Sequence, residues 1–343
     1  MFIIAEIGMN HYDIAKKKNI SIFEAAKLCA KMAKEGGANA AKFQTYSAEK
    51  IVSKISPAYW NLEEESCDSQ YKLFSKFNKF TENDWINLSK YCNEIGIEFM
   101  STAFDIESVD ILKGLQKIWK ISSSDITNFE LLEKISKQNG KILLSTGASN
   151  INDIKEAVKL ISKYNNNIVI MHCILNYPTK NENANLNMIT DIKNNFPNYQ
   201  IGYSDHTKPD DNMLITTSAY LLGAEYIEKH FTLDKNIPGN DHYHSMDFND
   251  LQKLRNNLNL LKIILGSNKK ICLESEKISQ NNARRSVYSK IKINENDILT
   301  KDNIICKRPY IGGISSNEYF NILGKKINKN IDEDYQIKFE DII

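Results

Sequence analysis

Lys141-Ile-Leu-Leu-Ser145, residues 152–162 and Ile168-Val-Ile-Met-His-Cys173 decide the fold. The first and last are apolar runs of strand length. The stretch between them carries apolar residues at helical spacing. Strand, helix, strand is the unit from which α/β folds are built, and it repeats toward both ends of the chain. Further strands are predicted at residues 2–7, 40–45, 98–102, 118–121, 200–204 and 226–230. Helices are predicted at 22–35, 82–95, 106–115, 129–138, 187–195, 212–222 and 247–265. Eight such units in about 265 residues suit an α/β (β/α)8 TIM barrel, which typically takes about 250. Alternation alone does not show closure, so a doubly wound open sheet is the competing architecture.

Two stretches interrupt the pattern. Residues 47–80 form a polar and aromatic insertion after the second strand, containing Tyr59-Trp60, Tyr71 and Phe74. Its position after a strand's C-terminal end makes it either a lid or wall over a site, or a surface excursion. After residue 265 the alternation stops, and short β-like runs separated by polar turns suggest a compact, mostly-β domain. The expected division is a barrel at 1–268 and a small domain at 277–343, with a linker near 266–276. Within the small domain, residues 293–304 and 327–342 look alike: each has a charged turn, an apolar pair and a closing Asp–Ile or Asn–Ile step.

Bulk properties narrow the partners. Of 343 residues, 42% are hydrophobic and 25% charged, as in ordinary globular proteins. Forty-four basic residues nearly cancel 43 acidic ones, and a net charge of +1 gives no reason to expect nucleic acid or an anionic membrane. Any anion must be held by a local cluster. The six cysteines contain no CxxC pair, and no apolar run is long enough to span a bilayer. Reduced thiols in the cytoplasm are the expectation.

Polar residues crowd the C-terminal ends of the predicted strands, where barrel enzymes build their sites. All six histidines lie at or beyond those ends, none in a predicted helix. His206 and His230 end neighbouring strands, so closure would aim both into one mouth, where neutral imidazole binds Mn, Fe, Co or Zn well. Lys42, Lys120, Ser123, Ser145 and Ser204 form a second group. Lysine is costly inside a barrel strand unless paired, so two lysines among hydroxyls suggest an anion with several oxygens, such as phosphate. The alternative is a lysine neutralised by Glu6 or Asp125. Glu6, on a strand suited to burial, is either a proton-transfer group or a structural ion-pair partner.

Taken in order, Ala5-Glu6-Ile-Gly-Met-Asn10-His11, Lys42-Phe-Gln44-Thr45, Lys120-Ile-Ser-Ser123, Leu144-Ser145-Thr-Gly-Ala148, Gly202-Tyr-Ser-Asp-His206-Thr207, Glu228-Lys-His230-Phe-Thr232 and Pro238-Gly-Asn-Asp241 resemble the sialic acid (nonulosonic acid) synthase family. Ala283-Arg284-Arg285-Ser286 and Lys307-Arg308-Pro309 resemble that family's antifreeze-like (SAF) domain. The resemblance implies condensation of phosphoenolpyruvate with an N-acyl amino sugar, such as N-acetylmannosamine. It implies a divalent metal, Mn2+ or Mg2+, on His206 and His230. Lys42, Lys120, Ser123, Ser145 and Ser204 match positions that hold phosphoenolpyruvate, and Glu6 matches a carboxylate that serves in proton transfer. Gln44, Tyr177 and Asp241 match residues near the sugar. Arg308 matches an arginine that reaches the partner's site in a domain-swapped homodimer. Departures fall at the loop after His11, at Asp125, at Leu175-Asn176-Tyr177 and at Asp241-His-Tyr-His244. They border the sugar and bear on its identity. Another metal-dependent barrel aldolase or lyase, or a non-catalytic sugar binder, is the competing function.

Overall fold

The computed structural model describes residues 1–77, 79–239 and 241–343; Asn240 of the Pro238–Asp241 run lies outside them. The chain divides into two compact units, Met1–Ile264 and Leu265–Ile343.

The first unit is built on eight parallel strands: β1 (Phe2–Gly8), β2 (Ala40–Thr45), β3 (Glu98–Ala103), β4 (Ile118–Ile121), β5 (Lys141–Ser145), β6 (Ile168–Cys173), β7 (Gln200–Asp205) and β8 (Tyr226–His230). Their order in the sheet is β3-β2-β1-β8-β7-β6-β5-β4. The pairing of β1 with β8, from Phe2 opposite Tyr226 to Glu6 opposite His230, overturns the open doubly wound alternative. β3 and β4 lie side by side and bring the barrel close to closure.

Side chains alternate across each strand, and the two faces have separate cores. Outward positions such as Ile3, Ala5, Ile7, Ala41, Phe43 and Phe99 pack with the surrounding helices. Inward positions Ile4, Ala40, Met100, Leu143, Val169 and Met171 fill the barrel floor. Two residues further along the strands, the inward positions become Glu6, Lys42, Thr102, Ser145, Cys173, Ser204 and Glu228, all buried. The barrel is therefore apolar at its base and polar at its C-terminal mouth.

Tyr12–Lys18, read from sequence as a loop, is helical: the helix runs Asn10–Lys18. Asp13 in its first turn and Lys16, Lys17 and Lys18 in its last complement the helix dipole, and Asn19 ends it in the left-handed conformation. His11 therefore lies in a helix, buried against the Tyr12, Phe43 and Phe80 rings. It is a fully buried core residue, and burial lowers its pKa to about 3.

One ion pair sits wholly between strands and helices. Lys229 and Asp205, each 1% exposed, meet at 2.6 Å, and Asp205 also accepts hydrogen bonds from Tyr203 and Thr207. Removing one partner strands the other charge in a dry layer. Asp205→Asn is expected to cost roughly 3–5 kcal/mol in urea unfolding. A loss below about 1 kcal/mol, the value of an exposed pair, would mean that Lys229 needs no anion there.

The second unit has its own core of Val287, Ile293, Leu299, Ile304, Ile314, Ile322, Ile327, Ile331 and Ile337. β9 (Ser286–Ser289) and β10 (Ile304–Lys307) pair antiparallel. The two look-alike segments bridge each other, with Ile293 and Ile331 exchanging backbone hydrogen bonds of 2.9 Å. All six cysteines are unpaired. Among the described residues no helix is long and apolar enough to cross a membrane.

Candidate active site

A cavity of about 500 Å³ opens at the C-terminal mouth of the barrel. Glu6, Lys42, Gln44, Lys120, Ser123, Ser145, Tyr177, Ser204, His206, His230 and Asp241 all line it. Every barrel residue singled out from the sequence thus comes together there. Arg308 belongs to the other unit, where it is exposed. The 47–80 insertion supplies part of the wall, through Tyr59, Trp60, Leu73, Phe74 and Phe77. Of the aromatics noted in the sequence, Tyr59, Trp60 and Phe74 line the cavity. Tyr59 faces Tyr177 at 6.2 Å between ring centres.

The cavity floor is a buried charge network whose central member the sequence reading did not single out. Glu228 Oε1 lies 2.9 Å from Lys120 Nζ and 3.5 Å from Lys42 Nζ, and accepts a 3.2 Å hydrogen bond from Ser204. Burial alone would raise its pKa, but the two lysines outweigh it and hold the carboxyl at about 2. Lys42 also meets Glu6 Oε2 at 2.6 Å and donates to Thr102 at 3.1 Å. Burial works against its charge, and Glu228 and Glu6 overcome this, so its pKa is raised. Glu6 accepts a second bond, 2.8 Å, from Gln44 Nε2. Asp125, the other neutralising group considered, accepts from Ser122 and Ser124 instead, and burial raises its pKa.

Hydroxyls edge this network. Ser145 Oγ is buried and has no hydrogen-bond partner among the described residues. The Gly147 backbone N–H donates to Ser123 Oγ at 2.9 Å. A Cβ at 147 would stand 2.9 Å from that oxygen, so the Ser145-Thr-Gly turn needs glycine for this close approach.

Histidines occupy the opposite side. His206 Nδ1 lies 2.8 Å from the Ile174 carbonyl. As a donor there it leaves Nε2 as the lone-pair nitrogen, the tautomer a metal ligand requires. Its ring centre is 5.4 Å from that of His230 and 4.2 Å from that of Tyr177. His230 Nδ1 is 3.3 Å from Asp241 Oδ2. Asp241 is held well below the usual carboxylate range: burial opposes ionisation, but His230 and then His244 outweigh it. One ligand atom from each of His230, Asp241 and His244 lies within 4.8 Å of the others. The pair expected from the sequence, His206 with His230, therefore has a neighbouring triad that includes His244. Buried imidazoles beside a carboxylate, with His230 Nδ1 lacking a hydrogen bond among the described residues, fit a divalent transition ion. The remaining histidines serve packing: His172 stands 2.8 Å from the Ala184 carbonyl, and His242 2.7 Å from Thr232 Oγ1.

Two family models cover most of the chain: the NeuB family matches residues 29–270 and the SAF domain matches 284–343. An uncharacterized protein of Methanocaldococcus jannaschii is 39% identical, over 100% of this chain and 94% of its own length. The N,N'-diacetyllegionaminic acid synthase of Campylobacter jejuni is 37% identical, over 98% of both chains. A crystal structure of N-acetylneuraminic acid (sialic acid) synthetase from Leptospira borgpetersenii, in complex with citrate, superposes with a TM-score of 0.70 at 31% identity. It covers 81% of this chain and 89% of its own. Eight parallel strands around a polar mouth, matched over nearly their whole length to nonulosonic acid synthases, leave one assignment: the chain belongs to the NeuB family and carries a C-terminal SAF domain.

Proposed function

We propose that this chain condenses phosphoenolpyruvate with the open-chain form of an N-acyl hexosamine, yielding a nine-carbon 3-deoxy-2-keto acid and phosphate. The observation that carries this reading is the Lys42–Glu228–Lys120 bridge on the cavity floor, edged by the unpartnered Ser145 hydroxyl. An ammonium has three donors. Lys120 directs one at Glu228 and keeps others for the carboxylate or phosphate oxygens of phosphoenolpyruvate, joined by Ser123, Ser145 and Ser204.

In the reaction, C3 of phosphoenolpyruvate forms a bond to the aldehyde carbon, and the aldehyde oxygen takes up a proton. Water adds at C2, and the C2–oxygen bond to phosphate breaks. Glu6 is buried, yet its contacts with Lys42 and Gln44 keep it at the cavity, in place to hold or move the transferred proton. Gln44, Tyr177 and Asp241 orient the sugar, and the insertion's aromatic wall excludes bulk water. His206 and His230 would hold Mn2+ or Mg2+, which when bound polarises the aldehyde and activates water. Six unpaired cysteines suit a reducing, cytoplasmic compartment. The acceptor belongs to the amino sugars that lead to N-acetylneuraminic, legionaminic or pseudaminic acid.

An isotope experiment tests the reading. Phosphoenolpyruvate carrying 18O at the bridging position is supplied with N-acetylmannosamine and its diacetamido relatives. The label is expected in released phosphate, with the keto acid identified by mass. Label retained in the keto acid, or no phosphate release with any amino sugar, would overturn it.

A further inference from the structure

The mechanism above leaves His244 without a role. The residue is fully buried, and neither ring nitrogen has a hydrogen-bond partner among the described residues. Burying an imidazole with both nitrogens unbonded is unfavourable, so such a ring calls for a partner. What surrounds it is the histidine cluster. Its ring centre is 4.7 Å from that of His230 and 6.4 Å from that of His206. Its Nε2 lies 3.8 Å from Asp241 Oδ1, while the other oxygen of that carboxylate reaches His230. His244 does not line the cavity; it stands behind His230 and Asp241, which do.

Donor atoms of a tetrahedral site with 2.0–2.1 Å bonds are about 3.4 Å apart. The triad's spread of up to 4.8 Å must therefore contract on ligation. His244 has no hydrogen bond to give up in moving, and Asp241 already touches His230. Ligand type then sets preference: imidazole suits Fe2+, Co2+ and Zn2+, whereas carboxylate and water suit Mg2+.

We propose that His244 is a further ligand of the active-site ion, joining His230 and Asp241 beside His206, and that this chain therefore takes Co2+, Fe2+ or Zn2+ in preference to Mg2+. The inference rests on the reading that His206 and His230 hold an ion, and the experiment separates the two.

Full-length metal-free protein is titrated with Co2+ and with Mg2+ by calorimetry, and the visible absorption of the Co2+ form is recorded. His244→Gln is expected to weaken Co2+ binding by about tenfold or more, as disturbed metal shells do. Its spectrum should change, and Mg2+ binding should change less. Because His244 is buried, a second measurement uses the unaltered protein. The Co2+ form should show three hyperfine-shifted imidazole N–H proton signals, not two. Two signals, or an unchanged Co2+ affinity and spectrum in a folded His244→Gln, would overturn the role of His244. The two-histidine reading still stands in that case if His230→Ala abolishes Co2+ binding. Intact Co2+ binding in His230→Ala would overturn both.

Discussion

Lys120→Met should lower kcat/KM for phosphoenolpyruvate by about 10²–10³, the cost of removing one preorganised donor from a developing anion. The residue directs one Nζ donor at Glu228, 2.9 Å away on the cavity floor, and lines the space where the anion is proposed to sit. Methionine keeps the length and apolar stem but removes the charge. The change also leaves Glu228 with Lys42 alone at 3.5 Å. Breaking a buried pair costs about 3–5 kcal/mol, and the remaining lysine keeps this case toward the low end. Lost activity could then come from a weakened fold. The double variant Lys120→Met/Glu228→Gln separates the effects, since it removes the stranded charge together with its partner. Urea unfolding should show stability largely regained, while calorimetry shows phosphoenolpyruvate binding still lost. A single variant with wild-type kcat and KM would remove Lys120 from the anion site.

Mixing two inactive variants should restore activity. His230→Ala is expected to lose turnover, because the ring stands in the cavity wall beside His206 and Asp241. Arg308→Ala is expected to lose use of the sugar while still binding phosphoenolpyruvate. Its guanidinium fork suits an amide carbonyl or hydroxyls of the acylamino sugar. The residue belongs to the small unit with its own core, and the domain-swapped homodimer that the family resemblance implies would bring each subunit's Arg308 to its partner's barrel. A heterodimer of the two variants then carries both lesions in one site and none in the other. Random exchange makes half the dimers mixed, each with one of its two sites intact, so about a quarter of wild-type activity should return. Chelation with EDTA should abolish the recovered activity, and Mn2+ should restore it. No recovery despite exchange shown by mass spectrometry, or a monomeric enzyme at working concentration, would defeat the exchanged-domain arrangement.

The strands were legible because their signal is local. β2, β4, β5, β6 and β8 have the expected limits, and the others extend by a single residue at the mouth. Several helices end a few residues earlier than expected, at Leu112, after which Lys113 turns extended, and at Ser136, for example. Asn10–Lys18 was missed because three lysines in a row obscure its apolar face; Tyr12, Ile14 and Ala15 bury it all the same. The position of the polar residues at the C-terminal ends of β1, β2, β7 and β8 marked the mouth of the barrel. Glu6, Lys42, Ser204 and His230 could therefore be assigned to one mouth from sequence alone.

Alternation says nothing about which inward residues meet. The sequence by itself determined the eight strand–helix units, the polar mouth and its list of lysines, hydroxyls and histidines. Only the tertiary structure decided their partners. Lys120 and Glu228 lie 108 positions apart, and nothing local couples them. They meet because the pairing of β1 with β8 and the approach of β3 to β4 curl the sheet into a nearly closed barrel, bringing the fourth and eighth strands' inward positions across a narrow interior. Tertiary packing likewise assigned Lys42 to Glu6 rather than Asp125. It also carried the loop after β8 back toward the mouth, placing His244 behind His230. Chain order sets each residue's face, but ion pairs and ligand sets depend on separations of a few ångströms. Those are fixed only when distant strands share one register.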